Sequence, residues 1–177
     1  MDVTTSIPWR RYFARMFDYV VHAALFLTLW AVIDEPSLIR LMEHSSATVD
    51  FLMLVVWIVI EGCYMNIFKT TPGKKLLRIQ VVHADGSPIG RYEAFVRARM
   101  VWYRGMGMGI GILQLIAGVI GYRRLTRKGY TSWDDDLRLT VRHGRLDTYR
   151  VILYTIIVSL CSFWVIFLFV RYALAMN

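Results

Sequence analysis

Four long apolar runs limit what this chain can fold into. They cover approximately residues 17–33, 51–68, 105–122 and 151–170. A helix that crosses a bilayer needs about 20 predominantly apolar residues, and each run is close to that length. Hydrophobic residues make up 56% of the 177-residue chain, which is more than a soluble domain carries. The sequence therefore predicts an all-α polytopic membrane protein with three or four transmembrane helices.

The distribution of Lys and Arg gives these helices an orientation. Residues 34–50 contain one basic residue and four acidic ones, whereas residues 69–100 contain seven basic residues and residues 123–150 contain eight. Basic residues collect in the cytoplasmic loops of membrane proteins. We therefore expect the N-terminus in the cytoplasm and residues 34–50 outside, as an acidic loop. The third apolar run conflicts with this scheme, because a full crossing would carry the eight basic residues that follow it out of the cytoplasm.

A glycine-rich stretch in the third run offers a way to avoid this conflict. Four glycines alternate there with larger residues: Gly105, Gly107, Gly109 and Gly111. Each glycine in a helix costs about 1 kcal/mol relative to alanine. The pattern favours a re-entrant or broken segment whose two ends both stay in the cytoplasm. The alternative is a continuous helix in which glycines four residues apart allow close packing against a neighbour.

Between the second and third runs the pattern becomes that of a small cytoplasmic β-structure. Residues 78–82 alternate polar and apolar side chains, and Asp85-Gly86 follows as a turn. These features predict a short cytoplasmic β-hairpin over approximately residues 76–90. Residues 91–103 then have the pattern of an amphipathic helix that can lie along the membrane surface.

Several ionisable side chains fall within or beside the first two runs. Four of them follow the spacing i, i+4, i+7, i+11: Arg11, Arg15, Asp18 and His22. On a helix this spacing keeps them on one face. Glu61 lies about 10 Å inside the second run at 1.5 Å per residue. A carboxylate at that depth needs a partner or a proton, and matched depth predicts a contact of Glu61 with His22 or with an arginine.

Three consecutive aspartates, Asp134 to Asp136, stand in the most basic segment of the chain. Sites for hard metal ions rarely come from consecutive residues of one segment, so we expect no bound metal. We expect these aspartates to neutralise nearby basic residues or to pair with basic residues of the first run. The sequence contains no catalytic triad, zinc motif or phosphate-binding loop. It therefore predicts neither an enzyme nor a cofactor.

Three stretches together resemble the RDD family of bacterial membrane proteins, which is named for an arginine and two aspartates. The first is RRYFARMFD, with Arg11, Ala14 and Asp18. The second, TTPGKKLLRIQVVHADGSPIG, contains these family-motif positions: Pro72, Gly73, Lys74, Asp85 and Gly86. The third is Asp135 with Thr140, five residues later. The resemblance covers Pro8–Val141 and implies an RDD-like membrane domain over residues 1–145, followed by an additional C-terminal transmembrane helix over residues 146–177.

The third stretch departs from the family pattern. Asp134 stands where the family has a histidine, and Arg138-Leu139 replaces a pair of small residues. Combined with the buried charges of the first two runs, the resemblance predicts a functional or ion-pair network with these members: Arg11, Arg15, Asp18, His22, Glu61 and Asp135.

The resemblance implies transport, because some RDD proteins look like sodium/proton antiporters. We therefore expect a multi-pass protein of the bacterial inner membrane that transports a cation or small solute with proton coupling. Few spans are available to enclose a path, so we expect a homo-oligomer or other membrane subunits as partners. The alternative is a non-catalytic accessory or scaffold subunit of a membrane complex. A third interpretation, from the basic loops and the surface helix, is handling of lipids or amphiphiles at the cytoplasmic leaflet. The bilayer is an expected partner and nucleic acid is not, because the positive-inside rule accounts for the net charge of +8.

Overall fold

The computed structural model describes residues 7–44 and 46–175 of the chain. The described part is mostly helical and contains one two-stranded antiparallel sheet. Its elements in chain order are α1 (Pro8–His44), α2 (Ser46–Ile67), α3 (Pro72–Leu76), β1 (Ile79–His83), α4 (Arg91–Met100), α5 (Gly111–Lys128), α6 (Ser132–Asp136), β2 (Leu139–His143) and α7 (Thr148–Ala175).

Helix α1 extends well past the first apolar run and bends at Asp34. The backbone of Asp34 leaves the helical region, with φ −151° and ψ 72°. Its carboxylate oxygen Oδ1 accepts a hydrogen bond from the backbone N–H of Ser37 at 3.1 Å, and Pro36 lies in the turn that follows. An aspartate cap and a proline in the first turn are strong signals for a helix start. The prediction of a loop over residues 34–50 is therefore wrong, because the helix resumes after Asp34 and continues to His44.

Two helices of the described chain are long and apolar enough to cross a membrane. They are α1, over Pro8–Leu41, and α7, over Thr148–Leu174; a shorter apolar helix covers Phe51–Ile67 within α2. Helix α7 packs on α1 through Leu168 and Tyr172, but only 6% of its most apolar window is buried inside the protein. A helix with so much apolar surface outside the fold is typical of one that faces lipid.

Between α4 and α5 the helical path is interrupted at the glycine-rich stretch. Helix α4 continues into a π-helical turn over Val101–Gly105, and a single 3-10 turn follows over Gly107–Gly109. Gly107 has a φ of +54°, and a Cβ atom at this position would collide with the backbone of Leu113. Only glycine satisfies both conditions. Helix α5 therefore begins at Gly111, after the break, rather than at Gly105.

Strand β1 pairs with β2 rather than with a strand of its own hairpin. The two strands are antiparallel, with Val81 opposite Val141. The turn predicted at Asp85-Gly86 is present, but the chain that follows makes only a single bridge, at Pro88. Proline has no N–H to donate to a ladder, and the chain enters α4 soon afterwards. The predicted strand and turn are therefore present, but the return strand of the predicted hairpin over residues 76–90 is reduced to one bridge, and the regular ladder forms with β2.

Helix α4 packs directly on α2. Its buried face consists of Ala94, Arg97 and Ala98. The ring of Phe95 lies against Gly62 of α2, in the place where a Cβ atom would otherwise stand. The amphipathic helix predicted over residues 91–103 therefore exists over Arg91–Met100, and much of its apolar face meets protein.

The same local structure occurs twice in the chain, 60 residues apart. Residues 69–83 form the first cap–strand unit and residues 129–143 form the second. Each unit has a residue with positive φ, a threonine that precedes a five-residue helix, an arginine with positive φ, and a five-residue strand. The residue types shared by the two units are Thr71, Leu77, Arg78, Val81 and His83 in the first and Thr131, Leu137, Arg138, Val141 and His143 in the second. Each unit follows two helices, so the fold repeats helix, helix, cap and strand before α7.

Candidate functional site

Seven ionisable side chains come together where α1, α2 and α4 meet the two cap–strand units. We call them the ionic cluster, and its members are Arg11, Arg15, Asp18, Glu61, Lys74, Arg97 and Asp134. The cluster contains four cations and three carboxylates. The carboxylates are at most 3% exposed. Buried charges at this level are costly unless they are paired and hydrogen-bonded, so the pairing scheme determines what the cluster can do.

Asp18 joins α1 to the start of α3. Its Oδ2 accepts a hydrogen bond from the hydroxyl of Thr71, and its Oδ1 accepts one from the backbone N–H of Gly73 at 2.6 Å. The first N–H groups of a helix have no partner within the helix, so Asp18 satisfies one that α3 leaves free. Gly73 is required here, because a Cβ atom would collide with the carbonyl oxygen of Ala14. Asp18 and Gly73, two positions of the RDD-like motif, therefore meet in space.

Glu61 pairs with basic residues rather than with His22. Its Oε1 lies 2.7 Å from Nζ of Lys74 and 3.9 Å from Nη1 of Arg97. The ring nitrogen Nδ1 of His22 lies 2.6 Å from the backbone oxygen of Asp18, one helical turn earlier. The imidazole also packs against aromatic rings of α2, including Trp57. The predicted contact of Glu61 with an arginine is thus present, at 3.9 Å, and the predicted contact with His22 is wrong because His22 bonds within its own helix.

Asp134, and not Asp135, belongs to the cluster. Its Oδ2 accepts hydrogen bonds from Nη1 of Arg11 at 3.0 Å and from the hydroxyl of Thr131 at 2.7 Å, and its Oδ1 accepts one from Nε of Arg97 at 2.9 Å. Asp135 is exposed and pairs with Arg124 at 2.8 Å. Thr131 is the N-terminal cap residue of α6. The side chain of Asp134, the third residue after it, turns back toward this cap. This geometry directs Asp134 inward, and Asp135, which was predicted as a member of the network, lies outside the cluster.

The cations of the cluster are less completely paired than its carboxylates. The guanidinium of Arg15 makes no hydrogen bond or ion pair with a residue that the structure describes. Nη1 of Arg97 and Nε of Arg11 are buried without a hydrogen-bond partner. Buried N–H groups without a partner are uncommon and call for an explanation. The cluster therefore has donors left over for a group that carries negative charge.

Burial and pairing shift the pKa values of the two members that lie outside the long helices. Burial lowers the pKa of the Lys74 amino group, and the carboxylate of Glu61 offsets this only in part. Burial alone would raise the pKa of Asp134, but Arg97 and Arg11 outweigh it and hold that pKa below its usual range. Asp134 is therefore ionised at neutral pH, and Lys74 holds its proton less firmly than an exposed lysine does.

Arg97 is a member that the sequence predictions missed, and Lys74 was recognised only as a motif residue. One local signal could have found Arg97. Ala94, Arg97, Ala98 and Val101 follow the spacing i, i+3, i+4, i+7 and are all buried. This spacing marks the inward face of a helix, and an arginine on it needs a carboxylate partner.

The other motif residues support the backbone around the cluster. Pro72 occupies the first turn of α3, where its missing N–H costs nothing. Gly86 has a φ of +87° in the turn after β1, and Asp85 caps that turn by accepting hydrogen bonds from Ser87. Thr140 is exposed on β2. These residues shape the chain and do not contact the cluster.

A cavity of about 680 Å³ opens beside the cluster, between α1 and α5. Four cluster cations contribute to its lining: Arg11, Arg15, Lys74 and Arg97. The opposite wall belongs to α5 and is largely apolar, with Leu115, Gly118 and Val119, and Gln114 and Arg123 of the same helix complete it. In the repeated fold α4 corresponds to α1 and α2 corresponds to α5. This equivalent pair, α2 and α4, packs together directly. The two helices that border the cavity are therefore packed less closely than the equivalent pair.

Residues 5–176 match the model of the RDD family. The chain belongs to the RDD family. No curated protein and no solved structure matches it. The matched residues continue past Val141, where the resemblance in the sequence ends, and include all of α7. The division into an RDD-like domain over residues 1–145 and an additional helix over residues 146–177 stays a prediction.

In this RDD protein, the arginine and the aspartate of the first motif do not pair with each other. Arg11 binds Asp134 of the second cap–strand unit, whereas Asp18 binds the first unit. Helix α1 is thereby connected to both units. Among the residues that the structure describes, no group of three or more His, Cys, Asp and Glu side chains is placed to hold a metal ion.

Proposed function

We propose that this RDD protein is a multi-pass protein of the bacterial cytoplasmic membrane that moves a small solute past the ionic cluster. In this proposal α1, α2 and α7 cross the bilayer, the N-terminus is cytoplasmic, and α4 with α5 forms a re-entrant segment. The connection to the sheet supports re-entry. Strand β1 leads into α4, and α5 leads into α6 and β2, so both ends of the segment return to the same small sheet. The basic residues on either side of the segment then share the cytoplasmic face.

The observation that carries this proposal is a partly unpaired cluster of buried charges beside a cavity. Ionisable residues within the membrane are rare and usually serve a function. Transporters often place their binding sites where helices are broken, between internal repeats. Both features occur here, since the break between α4 and α5 and the two cap–strand units border the cluster. Three crossings are few to enclose a path, so the transporting unit is a homo-oligomer or includes other membrane subunits.

The pairing within the cluster favours a solute with negative charge over a bare cation. Each carboxylate already accepts hydrogen bonds or ion pairs from the protein, while Arg15 makes neither a hydrogen bond nor a close ion pair with a described residue. A cation would have to displace Lys74 or an arginine to reach a carboxylate. Lys74 and Glu61 also support proton coupling, because burial lowers the pKa of Lys74 and makes its proton easier to release.

Ion flux into proteoliposomes tests the transport proposal. Vesicles that contain the purified protein and a pH-sensitive dye would receive inward gradients of sodium, potassium, inorganic phosphate and acetate salts, one at a time. We expect at least one gradient to change the lumenal pH faster than in empty vesicles. Glu61→Gln and Arg15→Gln should abolish that response. Asp135→Asn, which removes an exposed carboxylate outside the cluster, should not. Identical responses of the wild type, the cluster variants and empty vesicles would contradict transport of these solutes.

The second candidate is a scaffold or accessory subunit, and the completeness of carboxylate pairing favours it. Asp18, Glu61 and Asp134 tie α1, α2 and α4 to the two cap–strand units, as a structural clasp would. The exposed apolar surface of α7 would then serve neighbouring subunits. Purification from native membranes in mild detergent distinguishes the two. A stable complex with other membrane proteins in fixed ratio favours the scaffold, and a homogeneous homo-oligomer favours transport.

A further inference from the structure

Among the unused donors of the ionic cluster, Nη1 of Arg97 and Nε of Arg11 are buried, whereas the guanidinium of Arg15 belongs to a side chain that lines a cavity. Arg15, Arg97 and Arg11 all line the cavity between α1 and α5. The side chain of Arg97 is only 5% exposed, yet its Nη1 has no hydrogen-bond partner. Arg15 has neither an ion pair nor a hydrogen bond within the described structure. A group that accepts hydrogen bonds and carries negative charge would complete this side of the cluster, with bonds that are stronger than those between neutral groups.

The wall opposite these arginines suits a hydrocarbon chain. Leu115 and Val119 line the cavity and remain more than half exposed on α5. Gly118 lies between them, and a Cβ atom there would have nothing within 4 Å. The wall is therefore apolar and open at the level of Gly118. Trp9 and Tyr12 of α1 border the same space with large aromatic rings.

The pairing of α2 with α4 differs from that of α1 with α5. Phe95 of α4 fills the space above Gly62 of α2, so these two helices are in direct contact. Between α1 and α5, the cavity is lined by cations of α1, α3 and α4 on one side and by the largely apolar surface of α5 on the other. A small inorganic ion would use the donors and leave most of 680 Å³ empty. A neutral lipid would leave the donors unpaired.

We propose that this cavity binds an anionic amphiphile, with its phosphate or carboxylate headgroup at Arg15 and its alkyl chain along α5. The inference rests on the proposed function only in that it assigns a ligand to the same ionic cluster. Binding itself needs no transport. The two can therefore fail separately.

Lipid binding to the purified full-length protein tests the assignment. The protein in neutral maltoside detergent would be titrated with dioleoylphosphatidylglycerol, dioleoylphosphatidylcholine, oleate and inorganic phosphate, and bound molecules counted by native mass spectrometry. We expect phosphatidylglycerol to bind about tenfold or more tightly than phosphatidylcholine, since only the former leaves a net negative headgroup for the arginines. Oleate distinguishes a carboxylate headgroup from a phosphate. Inorganic phosphate should not compete at equal concentration.

Two variants change different halves of the site. Arg15→Gln removes the unpaired cation and should weaken binding of phosphatidylglycerol about tenfold, and Arg15→Lys should restore part of the loss. Gly118→Leu keeps every charge and fills the open wall, so it should reduce binding of the lipid without lowering the melting temperature of the lipid-free protein. Arg127→Gln is the matched control, because Arg127 is exposed on α5 and does not line the cavity. It should bind like the wild type.

Each result decides for or against the assignment. Equal binding of both phospholipids, competition by inorganic phosphate, or wild-type binding by folded Gly118→Leu would each overturn it. If Arg15→Gln fails to fold, Gly118→Leu alone decides. Selective lipid binding without any flux would remove the transport proposal and leave the assignment standing. Flux that depends on Arg15 without lipid binding would support the transport proposal and overturn the lipid assignment.

Discussion

The two cap–strand units have the same backbone and opposite charges at the same place. In the first unit the third residue after the threonine is Lys74, and in the second it is Asp134. Both side chains point into the ionic cluster, where Lys74 binds Glu61 and Asp134 binds Arg97 and Arg11. The shared backbone therefore determines where this side chain goes, and its charge determines which helix it binds. Two equivalent positions thus connect different helices to one cluster.

The units also differ in how closely a helix approaches them. Gly73 lets the backbone of α1 lie against the first unit, whereas Trp133 takes the equivalent position in the second. The ring of Trp133 is buried and lines the cavity. The first unit is therefore closed by α1, and the second is bordered by the space beside α5. This difference explains why α1 and α5 leave a cavity next to the second unit.

The largest expected effect comes from removing the charge of Asp134. Asp134→Asn leaves Arg11 and Arg97 buried without their carboxylate partner. Breaking a buried pair in this way typically costs about 3–5 kcal/mol. We expect a loss of that size in the free energy of unfolding in detergent, measured by chemical denaturation.

Asp135→Asn is the matched control for this prediction. Asp135 has the same chemistry one residue along the chain, but it is exposed and pairs only with Arg124. Exposed pairs contribute about 0–1 kcal/mol. If the two variants were equally unstable, the assignment of Asp134 rather than Asp135 to the cluster would be wrong.

A smaller effect is expected where a helix approaches the first unit. In Gly73→Ala the new Cβ atom collides with the carbonyl oxygen of Ala14. Because backbone rather than a flexible side chain has to move, we expect a loss of about 1–3 kcal/mol on the same measurement. Gly121→Ala provides the comparison, since its Cβ atom would lie 3.9 Å from Trp133, in ordinary contact. A neutral or stabilising effect of Gly73→Ala would show that α1 does not approach α3 this closely.

The sequence was sufficient for those features that depend on local pattern. The apolar runs predicted helices, and the spacing of Arg11, Arg15 and Asp18 predicted a common face directed at buried partners. The depth of Glu61 predicted a partner for its carboxylate. Each of these predictions depends on one segment and on the cost of burying a charge.

Features that depend on distant segments were predicted less well. Spacing alone cannot show which of three consecutive aspartates faces inward, because the cap at Thr131 decides it. Strand β1 looked like half of a hairpin, although its partner lies 60 residues further along the chain. The repeat of Thr71, Arg78 and His83 at the same distance was a signal for that pairing. Its meaning depends on tertiary contacts that local propensity does not contain.

The smallest expected effect is a pH dependence of stability. It comes from comparing His83 and His143, the last residues of the two strands. His143 is 1% exposed, and neither ring nitrogen has a hydrogen-bond partner in the described structure. Burial, with repulsion from Arg11 and Arg10, lowers its pKa from 6.5 to about 4. Between pH 6.5 and about pH 4, therefore, this imidazole is protonated in the unfolded chain and neutral in the folded chain. The stability from the neutral ring is complete above about pH 6.5 and is lost as the pH falls toward 4.

Between pH 7 and pH 5 we expect the melting temperature of the wild type to fall more than that of His143→Phe. Each kcal/mol of stability that the wild type loses by protonation of this ring corresponds to about 2–4 °C. His83→Phe is the matched control. His83 is partly exposed and lies 3.0 Å from the carboxylate of Glu93, so its replacement does not remove the buried ring that resists protonation. The control should therefore keep the acid-dependent fall. If His83→Phe removed the acid-dependent fall in melting temperature and His143→Phe did not, the acid sensitivity would come from the partly exposed His83. The comparison between the two units would then be reversed.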